Sequence, residues 1–433
     1  MRRGAGWRQV TRWRPAVGRL AGGGLAVAAA LVFLALPAVE AAVVGGRAGA
    51  APAGATASGS SVLAWGVNNA GQLGDGTTTE RLAPVKVSLP QGVTVTSVRT
   101  SCAHTLAVTS TGQVLAWGDN QFGQLGDGTT SSSDLPVQVS LPPGTTAAAV
   151  RPGCVNSFAL TSTGRVLAWG YNKEGELGDG TTVNSDVPVP VMLPPGTVVR
   201  VISAGATHTL ALTSTGQVLA WGINVSGQLG DGTTTTSGTP VQTQIPPGVT
   251  VTAVAAGGEF AGGEHSLALT SAGLVLAWGD NIAGELGDGS TTDRHVPVFA
   301  HLPQGAKIRG LFGGCFHTLA LTTTGQVLAW GDNQRGQLGD GTTTERHLPV
   351  RVAIPSGTTV TAITAGCDHN LVATSNGGVL AWGIANDGEL GTGTQPPIRK
   401  NPVQVKLPSG VTVTSLGLGS EAFSSFAIVK KVQ

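Results

Sequence analysis

From residue 61 onward, short apolar runs alternate with clusters of Gly, Asp, Thr and Pro, and the alternation keeps one long period. The run VLAWG at Val62 returns at Val114, Val166, Val218, Val275, Val327 and Val379. Its tryptophans, Trp65, Trp117, Trp169, Trp221, Trp278, Trp330 and Trp382, stand 52 residues apart, except for 57 between Trp221 and Trp278. Such a period marks stacked structural units. In the copy that starts at Val114, four β-prone stretches follow one another: VLAWG, residues 135–139, residues 147–150 and residues 157–161, punctuated by LGDGTT and LPPGTT. No helical period is found after residue 60, so the chain is expected to be all-β.

A single four-stranded sheet cannot bury both faces, and a closed ring of sheets leaves no open end. The pattern therefore predicts a seven-bladed β-propeller over residues 61–433, with four strands per blade. The turn TSTGQ at 109–113 and 213–217 should join the HTLAL-type strand to the next VLAWG as an antiparallel hairpin. The repeats open with VLAWG at Val62 and end with SSFAIV at 424–429, the two halves of that hairpin. The ring is thus expected to close by pairing of the N- and C-terminal strands, which leaves no lone edge to aggregate.

The first 60 residues differ in kind. Residues 1–19 hold six arginines and no acid, and residues 20–39 run uncharged through LAGGGLAVAAALVFLALPAV. A basic segment before an apolar one reads as a secretory signal cut after Ala41, and a 20-residue apolar run is also long enough to anchor in a bilayer. Both readings of residues 1–42 stand, with membrane attachment through residues 20–42 in the second. Either one exports the body, to be secreted or held on the outer side of the cytoplasmic membrane. Residues 43–60, rich in Ala, Gly and Ser, read as a flexible linker. With the leader's seven arginines and one acid set aside, residues 61–433 carry 18 bases and 23 acids, with no basic stripe. Nucleic-acid binding is not expected from such a body.

The combination VLAWGxNxxGQLGDG followed by AGxxHTLALTxTG, seven times, resembles the regulator of chromosome condensation family. The resemblance covers nearly all of residues 61–433 and implies the same seven-bladed propeller. It also suggests regulation or inhibition of a partner enzyme, or exchange-factor action on a small GTPase. The founding member's exchange activity uses a protruding β-wedge, and no insertion here exceeds about five residues. A plant UV-B photoreceptor of the same fold carries extra Trp in its Gly-x-x-His loops, whereas every Trp outside the leader here lies in VLAWG. A secreted bacterial member that inhibits β-lactamase makes an exported binding protein the natural inheritance.

Three sets of repeated residues invite chemical readings. His104, His208, His265, His317 and His369 share one repeat position, but blade spacing speaks against convergence on a metal, so each is expected to bond backbone instead. Asp75, Asp127, Asp179, Asp231, Asp288 and Asp340, each in Leu-Gly-Asp-Gly, read as Asx turns rather than calcium ligands. Cys102, Cys154, Cys315 and Cys367 share an offset two residues before the His position. Bridges Cys102–Cys154 and Cys315–Cys367 suit an exported chain, but they need Cα atoms within about 7 Å, and the spacing of neighbouring blades tips the expectation toward unbridged thiols. The repeated Trp reads as packing between sheets. No catalytic, metal-binding or cofactor-binding grouping is expected, and no cofactor.

What varies between repeats is where a binding surface would be written. The loop before the His strand, taken as the inner strand, ranges from GATH at 205–208 to GGEFAGGEH at 257–265 and GSEAFS at 419–424. This class gathers Glu259, Phe260, Glu264, Phe316, Asp368, Glu421 and Phe423 on one face, an apolar and acidic set suited to a protein partner. Length drift in surface loops is the plainer alternative. The sequence therefore points to a monomeric, non-enzymatic, extracytoplasmic binding scaffold that offers a propeller face to another protein.

Overall fold

Each VLAWG run forms the third strand, counted from the centre, of a four-stranded antiparallel sheet. The computed structural model describes residues 60–259 and 262–432 and holds seven such sheets built from twenty-eight strands. The readings of residues 1–59 as leader and linker lie outside the described residues. Among those described, no helix is long and apolar enough to cross a membrane.

Blade 1 shows the plan. Its strands are β3 (Val95–Thr100), β4 (His104–Thr109), β5 (Val114–Gly118) and β6 (Ser133–Gln138), paired in that order. The β4–β5 hairpin has the expected register, with His104 opposite Gly118 and Val108 opposite Val114. Blades 2 to 6 repeat the arrangement over residues 147–190, 199–242, 251–299, 308–351 and 360–404. The β3-type strands of successive blades touch one another around the centre. They, and not the His strands, are innermost, so the His strand is second from the centre.

Blade 7 closes the ring. It contains β27 (Val411–Gly417) and β28 (Ser424–Lys431) from the C-terminal end, with β1 (Ser60–Gly66) and β2 (Arg81–Lys86) from the N-terminal end. Val62 pairs with Ile428, Ala64 with Phe426 and Gly66 with Ser424. The expected closure is present, and it takes two strands from each end.

The core lies between blades. All six residues of β4 and all five of β5 are buried, because both faces of these middle strands are covered by neighbouring sheets. Hence VLAWG reads as a continuous apolar run without strict alternation. One core cluster joins Leu106, Val114 and Leu125 of blade 1 to Ala159, Leu167 and Trp169 of blade 2. All seven VLAWG tryptophans are 0% exposed. Burying such a ring contributes about 4–6 kcal/mol of transfer free energy. Room for it comes from the glycine of Gln-Leu-Gly in the preceding blade. At Gly126 φ is +69°, and an added Cβ would lie 2.6 Å from Trp169 Nε1.

Candidate partner-binding face

Each innermost strand turns into its His strand at the same end of the propeller. The loop after Trp-Gly rises beside that turn, since the Asp119 amide donates to the Ala103 carbonyl at 2.9 Å. Gly-x-x-His and Trp-Gly loops therefore build one face together.

A relay of hydrogen bonds between blades sits beneath this face. Ser157 of blade 2 donates its hydroxyl to the Gln124 carbonyl of blade 1 at 2.8 Å, and Trp169 donates Nε1–H to the same oxygen at 2.9 Å. With its proton so committed, Ser157 accepts from His104 Nε2–H at 2.9 Å, which assigns the His104 tautomer from the network. His369 meets Ser425 in the same way, and His317 meets Asn370. The histidines thus act structurally, as expected, but through side chains of the next blade and not chiefly through backbone. Burial holds His104 and His369 down to about 3 and His265 to about 4, so these imidazoles are neutral. The sequence carries the signal in the residue that follows each His position, a Ser, Thr or Asn in every blade.

The Asp set forms Asx turns. Asp127 Oδ1 accepts from the Thr129 amide at 3.0 Å and from its hydroxyl at 2.8 Å. Three of the set also pair with arginines, Asp75 with Arg81, Asp288 with Arg294 and Asp340 with Arg346. Burial alone would raise Asp75, but the Thr77 and Arg81 hydrogen bonds outweigh it and hold its carboxyl below the usual range.

The cysteines are bridged, against the expectation of free thiols. Disulfides Cys102–Cys154 and Cys315–Cys367 join neighbouring blades, with Cα atoms 4.9 and 4.5 Å apart. Blade separation grows with distance from the axis, and these loops lie at the smallest radius. There the backbones of neighbouring blades touch: the Cys315 amide donates to the Cys367 carbonyl at 3.2 Å, and the Cys367 amide to Ala422 at 3.0 Å.

Of the seven candidate residues, Phe260 lies outside the described residues. The acids converge. Glu421 feels the charges of Glu264 and Glu259, and Asp368 feels those of Asp332 and Glu259. Two of them turn inward. Glu264 is 5% exposed; its Oε1 accepts from the Thr207 amide at 3.0 Å and hydroxyl at 2.9 Å, and its Oε2 meets His208 Nδ1. Glu421 is 1% exposed, with Oε2 3.1 Å from Cys102 Sγ. A disulfide sulfur has no proton to give, so a hydrogen bond there requires a protonated carboxyl. Burial first, then the neighbouring glutamates, pushes Glu421 well above its ordinary value, which agrees.

Glu259, Phe316, Asp368 and Phe423 are half-buried and reach the surface. Burial and then Asp332 raise Asp368 to about 6, despite Arg335 nearby. The Phe316 ring lies against Gly263 of the lengthened blade 4 loop. Phe423 lies beside the ring closure, where its carbonyl accepts from the Val67 amide. Around them stand exposed Ile282 and Arg335, and Phe122 edge-on to Tyr171 at 5.1 Å. One surface depression, lined by Gln113 and Pro142 to Thr145, lies at the opposite end; another, lined by Val67, Asn68, Glu80 and Asp387, adjoins Phe423 through Val67.

Residues 61–423 match the RCC1-like domain model, and the chain belongs to that family. Ultraviolet-B receptor UVR8 of Arabidopsis thaliana is 33% identical over 347 residues, covering 80% of this chain and 78% of the receptor. Human E3 ubiquitin-protein ligase HERC2 is 32% identical over 362 residues, which is 83% of this chain but 7% of the ligase. The solved structure of Prp20p from Saccharomyces cerevisiae, described with its binding to Gsp1p and histones, superposes with a TM-score of 0.75 at 23% identity, over 87% of this chain and 92% of that one. That likeness is one of fold.

Proposed function

We propose that this protein is an extracytoplasmic, non-enzymatic scaffold that binds a protein partner through the Gly-x-x-His face, with Glu259, Phe260, Phe316, Asp368 and Phe423 at the contact. Glu264 and Glu421 serve it from beneath, by fixing the loops. One observation carries the reading: only the loops of blades 4 and 7 are lengthened on this face, and the blade 4 loop lies against the half-buried Phe316 ring. An aromatic anchor edged by acids is a surface that proteins recognise. Family membership supports a binding or regulatory role, since Prp20p is described with protein partners. Export rests on the arginine-rich and apolar segments at residues 1–39, and the two disulfides suit an oxidising compartment.

A photo-reactive residue placed at Phe316, with a control at Pro143 on the opposite end, tests this in living cells. The reading requires one discrete cross-linked protein from position 316 alone, in cells whose chain is open to external protease. Equal cross-linking from both positions, or a chain shielded in the cytoplasm, overturns it. If the captured protein is an enzyme or a GTPase, its activity with and without the propeller decides between a passive scaffold and an inhibitor or exchange factor.

A further inference from the structure

The four cysteines and the two lengthened loops match each other in a way that a closed propeller does not require. Blades 1, 2, 5 and 6 carry the cysteines, blades 4 and 7 carry the lengthened loops, and blade 3 has neither. Each lengthened loop delivers one carboxylate to one cysteine pair. Glu421 of blade 7 meets Cys102–Cys154, and Glu259 of blade 4 lies with Oε2 3.7 Å from Cys367 Sγ. Within each triad the sulfur and carboxylate atoms lie within 4.8 Å of one another. Glu421 is buried at the first of these, and its Oε1 has no hydrogen-bond partner among the described residues.

We propose that Cys102, Cys154 and Glu421, and likewise Cys315, Cys367 and Glu259, form two sites for a thiophilic divalent ion of the zinc class, opened when the disulfides are reduced. Two thiolates and a carboxylate, with a solvent molecule in the fourth position, make a tetrahedral donor set for such an ion. Zn–S bonds of about 2.3 Å need sulfurs about 3.7 Å apart, so each pair has to part from bonding distance. In the reductive step a dithiol passes two electrons and two protons to the disulfide. The S–S bond breaks to give two cysteine thiols, and the dithiol becomes its own disulfide. On binding the ion, the two thiols of each site release two protons to solvent, the Glu421 carboxyl releases a third at its site, and two S–metal bonds and one O–metal bond form. Bridge and metal are thus alternative staples for the same blades, and the metal additionally pins the Gly-x-x-His loop of a third blade. This inference stands independently of the function proposed above.

The test uses the purified full chain, with Co2+ as probe and a water-soluble phosphine as reductant. The phosphine yields the same two thiols, takes its oxygen from water and does not compete strongly for the ion. Reduced protein should take up two Co2+ per chain with thiolate-to-cobalt charge-transfer absorption, and oxidised protein none at these sites. Glu421→Gln should weaken one of the two equivalents at least about tenfold, and Glu259→Gln the other. The melting curve of each oxidised variant checks that it folds. No uptake by reduced protein overturns the proposal. So does uptake that both variants leave unchanged, because thiols in an unfolded or loosened chain bind without help from the glutamates.

Discussion

Trp65 donates its indole N–H to the main-chain oxygen of Glu389 at 2.9 Å, across 324 residues of sequence. The same bond links every VLAWG tryptophan to the Gln-Leu-Gly or Glu-Leu-Gly loop of the blade before it. This one seats the first strand of the propeller on blade 6.

Removal of residues 424–433 takes away β28, the strand that β1 pairs with, and uncovers the Trp65 side of blade 7. The loss of a strand's hydrogen bonds and one core cluster should cost several kcal/mol, on the order of a domain's net stability. Limited proteolysis and thermal melting are expected to show an aggregating or protease-sensitive product. A truncated chain that melts like the intact one would mean that the ring does not depend on this blade.

Gly126→Ala tests the seating of a tryptophan in an interior blade. The left-handed φ of +69° alone should cost an alanine about 1–2 kcal/mol, and the contact of its Cβ with the Trp169 indole adds to that. Gly144→Ala is a control for φ alone, since φ is +76° and nothing lies within 4 Å of an added Cβ. Chemical denaturation should rank Gly126→Ala below Gly144→Ala.

Glu285 and Glu389 occupy the place that Gln72, Gln124, Gln228 and Gln337 fill in other blades. Burial pushes Glu285 up to about 8 and Glu389 to about 7, from an ordinary value of 4.5. Above pH 4.5 the unfolded chain releases protons that the folded chain keeps, so their contribution is complete below that pH and is lost as pH rises through 7 and 8. Glu285→Gln and Glu389→Gln should flatten the fall in stability between pH 4.5 and pH 8. Near pH 9 each should gain on the order of 1–3 kcal/mol over the parent. Denaturation midpoints from pH 4.5 to pH 9 check it, and equal slopes of parent and variants between pH 4.5 and pH 8 would count against it.

Glu264 and Asp368 should behave oppositely although both belong to the acidic set. Glu264→Ala strips the Thr207 amide, the Thr207 hydroxyl and His208 of their partner, at a cost of about 2–4 kcal/mol in stability. Asp368→Asn is expected to stay within about 1 kcal/mol of the parent and to weaken partner capture instead. Melting and capture measured on the same two variants separate the roles.

The architecture was legible because one period wrote it seven times. VLAWG fixed the blade count, and the split hairpin at Val62 and Ser424 fixed the closure. What escaped depends on distance from the axis, which a linear pattern does not encode. Neighbouring Cys loops come within 5 Å at the inner radius, much closer than the width of a blade farther out. The inward turn of Glu264 was hidden for a similar reason. Its partners Thr207 and His208 lie 57 and 56 residues away, at the same loop of the adjacent blade. The residue after each His position was visible all along as Ser, Thr or Asn, but its meaning required the preceding blade to be in place.

Amide hydrogen exchange of the propeller, alone and with its captured partner, tests the central claim most directly. Binding through the Gly-x-x-His face predicts new protection confined to residues 257–263, 314–316, 366–368 and 418–423, with the turn at 142–145 unchanged. Protection centred on residues 142–145 or on the outer strands would place the partner elsewhere and contradict this account.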